Sequence, residues 1–347
     1  MKHSFVSMAV TIAAAGLLIA SCTSDATPDE VVLLTHESFA LSDGMFDRFT
    51  EETGFTVVVQ TAGDAGSMVN QAILTKDNPL ADVMYGIDNT FLSRAIDEGL
   101  FTAHTASEIA TVPTDLRVDG DIVTPIDFGD VCINYDIADL STRGIAPPSD
   151  LADLTDNAYR DLLVVQDPAT SSPGLAFLLA TIAAYPEDAG YSWSEYWTDL
   201  FANGVSVAPD WSDAYSNQFT LAGGTRPLVV SYASSPPAEV FFGDLAEAPT
   251  AVMTDGCYRQ VEYAGVLTGT ERGEAAGLLV DFLLSREVQE DVPLTMFVFP
   301  ANTTAALPDV FVAHTTLPPQ PSSIDAQTIE ANRERWIQEW TAIARSQ

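Results

Sequence analysis

Three short turns in this chain concentrate small polar side chains: Gly63-Asp64-Ala65-Gly66-Ser67, Thr170-Ser171-Ser172 before Pro173, and Ser231-Tyr232-Ala233-Ser234-Ser235-Pro236. Each follows an apolar, strand-like run and precedes a helix-like one. Such a turn aims hydroxyls and free N–H groups, at the positive end of a helix dipole, toward whatever sits beyond it. That chemistry suits an anionic or polar small molecule. One such turn alone is ordinarily a helix cap, with Pro173 near the first helical position. Ligands of open α/β sheets, however, bind beyond the carboxyl ends of the strands, so three such turns in two lobes describe a clamshell pocket. Pro209-Asp210-Trp211-Ser212-Asp213-Ala214-Tyr215 adds aromatic surface, and Trp211 either stacks on a flat ring or cation or closes the edge of a core.

Other chemistries lack their residues. The histidines, at 3, 36, 104 and 314, have no second His or Cys at metal-ligand spacing, so no metal is expected. Ser171 and Ser172 sit in no Gly-x-Ser-x-Gly elbow, and no glycine loop of the nucleotide-binding kinds follows a strand. The expectation is a binding protein without catalytic residues or cofactor. With 14 Lys+Arg against 49 Asp+Glu, the formal charge is -35, and Lys2 and Lys76 are the sole lysines. Such a surface repels phosphate backbones and anionic headgroups, which argues against nucleic acid and against a polybasic membrane patch. The acidity reads first as solubility rather than as a guide to the pocket.

The elements that must position these turns alternate between strand and helix, the signature of an α/β fold with mostly parallel sheets. Strand patterns at Val31–Leu34, Phe55–Val59 and Ala81–Ile87 alternate with helical stripes that end at Gly54, Thr75 and Gly99. The character changes at Ile122–Gly129, and Cys132–Tyr135 continues as strand into a second region. Cys257–Gly265 reads as a returning strand, so two roughly antiparallel connections form a hinge. The predicted lobes are 31–125 with 263–347, and 126–262. Trp336, Trp340 and Ile343 then mark the face of a terminal helix.

The first residues predict an exported protein. Lys2 and His3 precede an apolar stretch from Met8 to Ala20, then Ile19-Ala20-Ser21-Cys22, which has the look of a lipoprotein signal peptide (1–22) with Cys22 lipidated and 23–30 as a tether. The expected location is extracytoplasmic, on a lipid anchor. Cys132 and Cys257 remain, and they either form one cross-strand disulfide or stand as two buried thiols.

The chain resembles the periplasmic thiamine-binding proteins, the substrate receptors of thiamine ABC importers, from about Val31 to Trp336-Ile337-Gln338-Glu339-Trp340. The resemblance is carried by Thr35-His36-Glu37-Ser38-Phe39, Ala81–Asn89, Gly99-Leu100-Phe101, Pro125-Ile126-Asp127-Phe128-Gly129, Gln166-Asp167-Pro168 through Leu175, Trp211–Tyr215 and Ser231–Pro236, in order and spacing. It implies a two-lobed, monomeric receptor that closes on thiamine or its phosphate esters and hands it to a permease driven by an ATPase. The implied ligand contacts are Asp64, Ala65, Ser171, Ser172, Trp211 and the loop Tyr232, Ala233, Ser234, Ser235 and Pro236, joined by His36, Asp127 and Phe297. Hydroxyls and amides would hold a phosphate or hydroxyethyl end, while Asp64 and aromatic faces would favour the thiazolium. Relatives tend to carry aromatic residues where His36 and Asp43 stand and a tryptophan where Phe297 stands, which shifts the expected stacking to Trp211, Tyr232, Phe297 and Phe128.

Overall fold

The computed structural model describes residues 30–346; the predicted signal segment, Cys22 and the tether to residue 29 lie outside the described residues. Glu30, the last residue assigned to the tether, opens the first strand. Elements then follow in the order β1 (Glu30–Thr35), α1 (Met45–Thr53), β2 (Thr56–Thr61), α2 (Ala65–Leu74), β3 (Val83–Asp88), α3 (Leu92–Asp97) and β4 (Phe101–Thr102). Next come β5 (Thr124–Asp136), α4 (Ile137–Arg143), β6 (Leu163–Gln166), α5 (Ser172–Ala184), α6 (Trp193–Ala202), β7 (Ser206–Ala208) and a single turn, α7 (Trp211–Asp213). The remainder is β8 (Leu228–Tyr232), α8 (Ser235–Gly243), β9 (Thr250–Leu267), α9 (Gly273–Leu284), α10 (Arg286–Thr295), β10 (Phe299–Pro300), α11 (Asp309–His314) and α12 (Ala326–Arg345).

Strand order explains how one sheet serves two lobes. The path runs β2-β1-β3-β9-β5-β8-β6-β7, with β4 and β10 paired at its side. β1 pairs parallel with β2 and β3, and β6 pairs parallel with β7 and β8. Between these parallel groups lie β5 and β9, antiparallel from Thr124↔Ala264 to Asp136↔Thr250. β3 joins β9 at its far end, Val83↔Val266 to Asp88↔Glu262, whereas β8 joins the other half of β5, Val131↔Tyr232 to Tyr135↔Leu228. These two long strands are thus the double crossing expected as a hinge.

The elements follow their local chemistry. β3 and β6 are buried along their length, as strands with helices on both faces must be, and they read as continuous apolar runs. α5, Ser172-Pro173-Gly174-Leu175 and onward, is buried nearly all round because it lies between the second parallel group and β9. α12 buries Trp336 and Trp340, the latter edge-on to Trp197 of α6, and it also packs on α3. The terminal helix therefore straps both groups of helices together rather than the first alone. Among the described residues no helix is long and apolar enough to cross a membrane.

Cys132 and Cys257 are bonded to each other. The β5/β9 register slips between Val131↔Tyr258 and Ile133↔Met253, so Cys132 faces the extra residues of β9 that end at Cys257. A bulge of that kind brings together side chains that regular pairing would hold apart.

Candidate ligand-binding site

The three polar turns converge on one cavity of about 550 Å³ between the two parallel groups. One wall is the β1–α1 connection, with His36, Glu37 and Ser38, and the β2–α2 turn, with Asp64 and Ala65. The facing wall comes from the turns after β6, β7 and β8: Ser172, Pro173, Trp211, Tyr215, Tyr232 and Ser235. Glu239 and Phe242 of α8 extend it, Glu262 of β9 contributes from the crossing strands, and Met296, Phe297 and Val298 close one side. These walls lie beyond the carboxyl ends of the parallel strands, the position where chain reversals leave room for a ligand.

Asp64 holds the two walls together. As the cap of α2 it accepts from the Ala65 N–H at 2.7 Å, and across the cleft it accepts from Ser172 N–H at 3.4 Å and Trp211 N–H at 3.2 Å. The Ser67 N–H reaches the Thr170 carbonyl at 3.3 Å beside it. Amides expected to hold the phosphate or hydroxyethyl end of a ligand are therefore engaged by this carboxylate. Burial pushes the Asp64 carboxyl up, while the Ser171 hydroxyl, the Ala65 and Trp211 amides and His36 pull it back.

On the floor, His36 Nδ1 accepts from the Ser38 N–H at 3.2 Å, which leaves Nε2 to face Glu262 Oε2 at 3.4 Å. Burial alone would lower the imidazole, but the charge of Glu262 and its hydrogen bond, with Asp64 and Asp127 behind, outweigh it and raise the pKa. Gly86 makes room for that ring: it sits at φ 95°, where β3 slips its register against β9, and a Cβ there would come within 2.2 Å of His36 Cδ2. Glu262 also accepts from Gln260 Nε2 at 2.9 Å, and Gln260 in turn accepts from the Tyr232 hydroxyl at 3.2 Å. Glu37, Asp64, Glu239 and Glu262 line the cavity with His36 and no lysine or arginine. Such a lining attracts positive charge.

The aromatic wall is built from one tight turn. Asp210 caps it by accepting from the Asp213 N–H at 2.7 Å, and Trp211 then stacks on Tyr215 with centroids 4.9 Å apart and planes 17° apart. The Trp211 Nε1–H donates to Ser231 Oγ at 3.0 Å, which fixes the plane of the indole. The Tyr215 hydroxyl donates to Glu239, as does Thr250 Oγ1. Burial still lifts Glu239 to about 7, against those two hydroxyls.

Of the expected contacts, His36, Asp64, Ala65, Ser172, Trp211, Tyr232, Ser235 and Phe297 line the cavity. Others do not. Ser171 is fully buried behind Ser172, and Ala233 packs against the disulfide. Ser234 and Pro236 are buried where α8 begins, because the cleft face of this helix runs through Ser235, Ala238, Glu239 and Phe242 at helical spacing. Asp127 is buried beneath the floor, accepting from the Tyr85 hydroxyl, and its carboxyl is pushed well up by burial and by Glu262. Phe128 stacks on Phe299 at 5.3 Å with the Arg259 guanidinium over its ring, so it does not reach the cavity. Glu262, Glu239, Tyr215 and Phe242 are wall residues that the sequence reading did not assign. The i, i+4 spacing of Trp211 and Tyr215 was the one signal that could have found any of them.

Residues 78–318 match the family described as bacterial extracellular solute-binding protein. The thiamine-binding periplasmic protein of Escherichia coli K12 is 29% identical over 332 residues, covering 93% of this chain and 96% of that one. Its counterpart in Brucella melitensis is 27% identical over 323 residues, with 90% and 92% covered. A solved periplasmic thiamin binding protein superposes with a TM-score of 0.81 at 26% identity, over 90% of this chain and 96% of that chain. The fold, the cleft and these similarities agree: the chain belongs to the bacterial extracellular solute-binding protein family, and it binds a solute outside the cytoplasm.

Proposed function

We propose that this protein is the receptor of a thiamine importer, a monomer that closes on thiamine or its phosphate esters and delivers it to an ABC permease and its ATPase. Its lobes would be 31–125 with 263–347, and 126–262, anchored to the membrane through a lipid on Cys22. The observation that carries this reading is the cavity wall itself. Stacked Trp211 and Tyr215 share a cavity with Glu262 and Asp64 that holds no lysine or arginine, a match for a flat, cationic heteroaromatic ring. Similarity to thiamine-binding proteins over most of both chains supports it. Contacts from His36, Asp64, Ala65, Ser172, Trp211, Tyr232, Ser235 and Phe297 belong to the same proposal.

Isothermal titration of the chain from Asp25 onward against thiamine, its monophosphate and its diphosphate tests it. Saturable heat with a 1:1 stoichiometry for at least one of them is expected, and no heat with any of the three would overturn the assignment. A polyamine receptor is the second reading, favoured by the acidic lining alone, and competition by spermidine against thiamine separates the two. Among the described residues no group of three or more His, Cys, Asp or Glu is arranged to hold a metal ion, which weighs against ferric iron.

A further inference from the structure

Phe242 stands in the last turn of α8 with 73% of its surface exposed, yet its ring forms part of the cavity wall. Its neighbour is Phe297, at 4.9 Å between centroids and 52° between planes, which lies between α10 and β10. Phe297 holds φ 56°, a left-handed backbone that phenylalanine rarely adopts and that costs free energy unless its surroundings impose it. Phe311 packs behind it with nearly parallel planes, 20° apart at 6.2 Å, and so fixes its ring. The two rings thus meet at the mouth, one on a helix that follows β8 and one on the segment leading into β10, with α11 packed on α8 behind them.

We propose that Phe242 is a ligand-contacting residue that closes the cavity with Phe297 as an aromatic clasp, selecting a flat cationic ring over an aliphatic cation. This rests on the thiamine reading. An exposed phenyl at a cleft mouth leaves apolar surface in water until a ring covers it, and its face attracts positive charge delocalised in that ring. A polyamine offers charge without a face to stack, so it gains little from the clasp. Because the contact forms with the bound solute and is broken as it leaves, its removal acts on release more than on capture.

The test compares the unaltered protein with Phe242→Ala, Phe242→Leu and Phe242→Trp, following thiamine release by stopped-flow tryptophan fluorescence and spermidine binding by titration. Alanine and leucine should both speed release about tenfold, an effect typical of one lost aromatic contact, whereas tryptophan restores slow release. Spermidine affinity should not change. Unaltered protein that binds thiamine while all three variants release it at the same rate would overturn the clasp and leave the receptor reading standing. Unaltered protein that takes up no thiamine would overturn the receptor reading and the clasp with it. Exposure of the side chain makes misfolding a minor concern, and unchanged melting curves check it.

Discussion

Gly66→Ala separates closure of the cleft from the composition of the pocket. Gly66 lies in the first turn of α2, outside the cavity wall, and a Cβ placed on it would stand 2.6 Å from the Thr170 carbonyl oxygen and 2.9 Å from Phe91 Cζ. The phenyl tip can rock aside. The Thr170 oxygen belongs to the backbone of the opposite wall, so the walls must part. Parting weakens three contacts: Ser67 N–H to the Thr170 carbonyl, Ser172 N–H to Asp64 and Trp211 N–H to Asp64, at 3.3, 3.4 and 3.2 Å. At these long distances each sits near the low end of a net hydrogen bond, which gives about 2 kcal/mol in total. That moves the balance between closed and open forms about thirtyfold, and a solute that binds the closed form loses affinity by up to the same factor. Alanine is meanwhile the better residue inside a helix by about 0.5–1 kcal/mol, so the melting temperature should hold or rise. Titration with thiamine, thermal unfolding and small-angle scattering of the free protein give the three readouts. A dissociation constant within twofold of the unaltered protein, with an unchanged radius of gyration, would refute the reasoning.

Two further predictions concern the framework. Glu239 is held up to about 7 by burial, so between its ordinary value of 4.5 and that pH the native state keeps a proton that the unfolded chain has lost. Stability therefore falls as pH rises from about 4.5 to 7, by on the order of 2 kcal/mol. Glu239→Gln should flatten this slope and raise the melting temperature at pH 8 relative to pH 5; parallel pH profiles for the two proteins would contradict it. Cys132 and Cys257 close a loop with a sequence separation of 125. Replacing both with serine should lower stability by about 4 kcal/mol in denaturant titrations, and reductant should shift the unaltered protein by a similar amount but not the double variant. A reductant effect that survives in the double variant would show that the shift has another origin.

Much of the architecture was legible because each parallel strand leads into a turn with its own punctuation. Asp64, Ser172 and Ser235 follow their strands at short range, and local spacing suffices to place them at carboxyl ends. What failed was anything that depends on register. The slip in pairing between Pro125 and Asp127 changes which side of β5 faces the cleft, so Asp127 ends beneath the floor and Phe128 against Phe299. The bond between Cys132 and Cys257 depends on a second slip, between Val131 and Ile133. Glu262 and Glu239 carried no signal, since among 49 acidic residues no single one stands out by type. Gly86 is a similar case: its part in seating His36 follows from a positive φ and from a contact across the loop, neither of which its neighbours in sequence disclose.

The charges of the floor are best understood as a balance around Glu262 rather than as a simple acidic pool. Asp64 spends its charge on three backbone amides, at the starts of α2, α5 and α7, whose helix dipoles it also meets. Asp127 is pushed toward its neutral form by burial and by Glu262, and Asp88, near Ser172, is lifted by burial to about 6. Glu262 remains, facing His36 at 3.4 Å. With the imidazole protonated, the pair presents almost no net charge to the cavity; with it neutral, the carboxylate is free to face a positive solute. A cation that approaches Glu262 and the His36 proton therefore compete for one carboxylate. Glu262, the carboxylate that does most to raise the imidazole pKa, is also the one such a cation would approach, so capture of a cation and loss of that proton are two sides of one electrostatic balance.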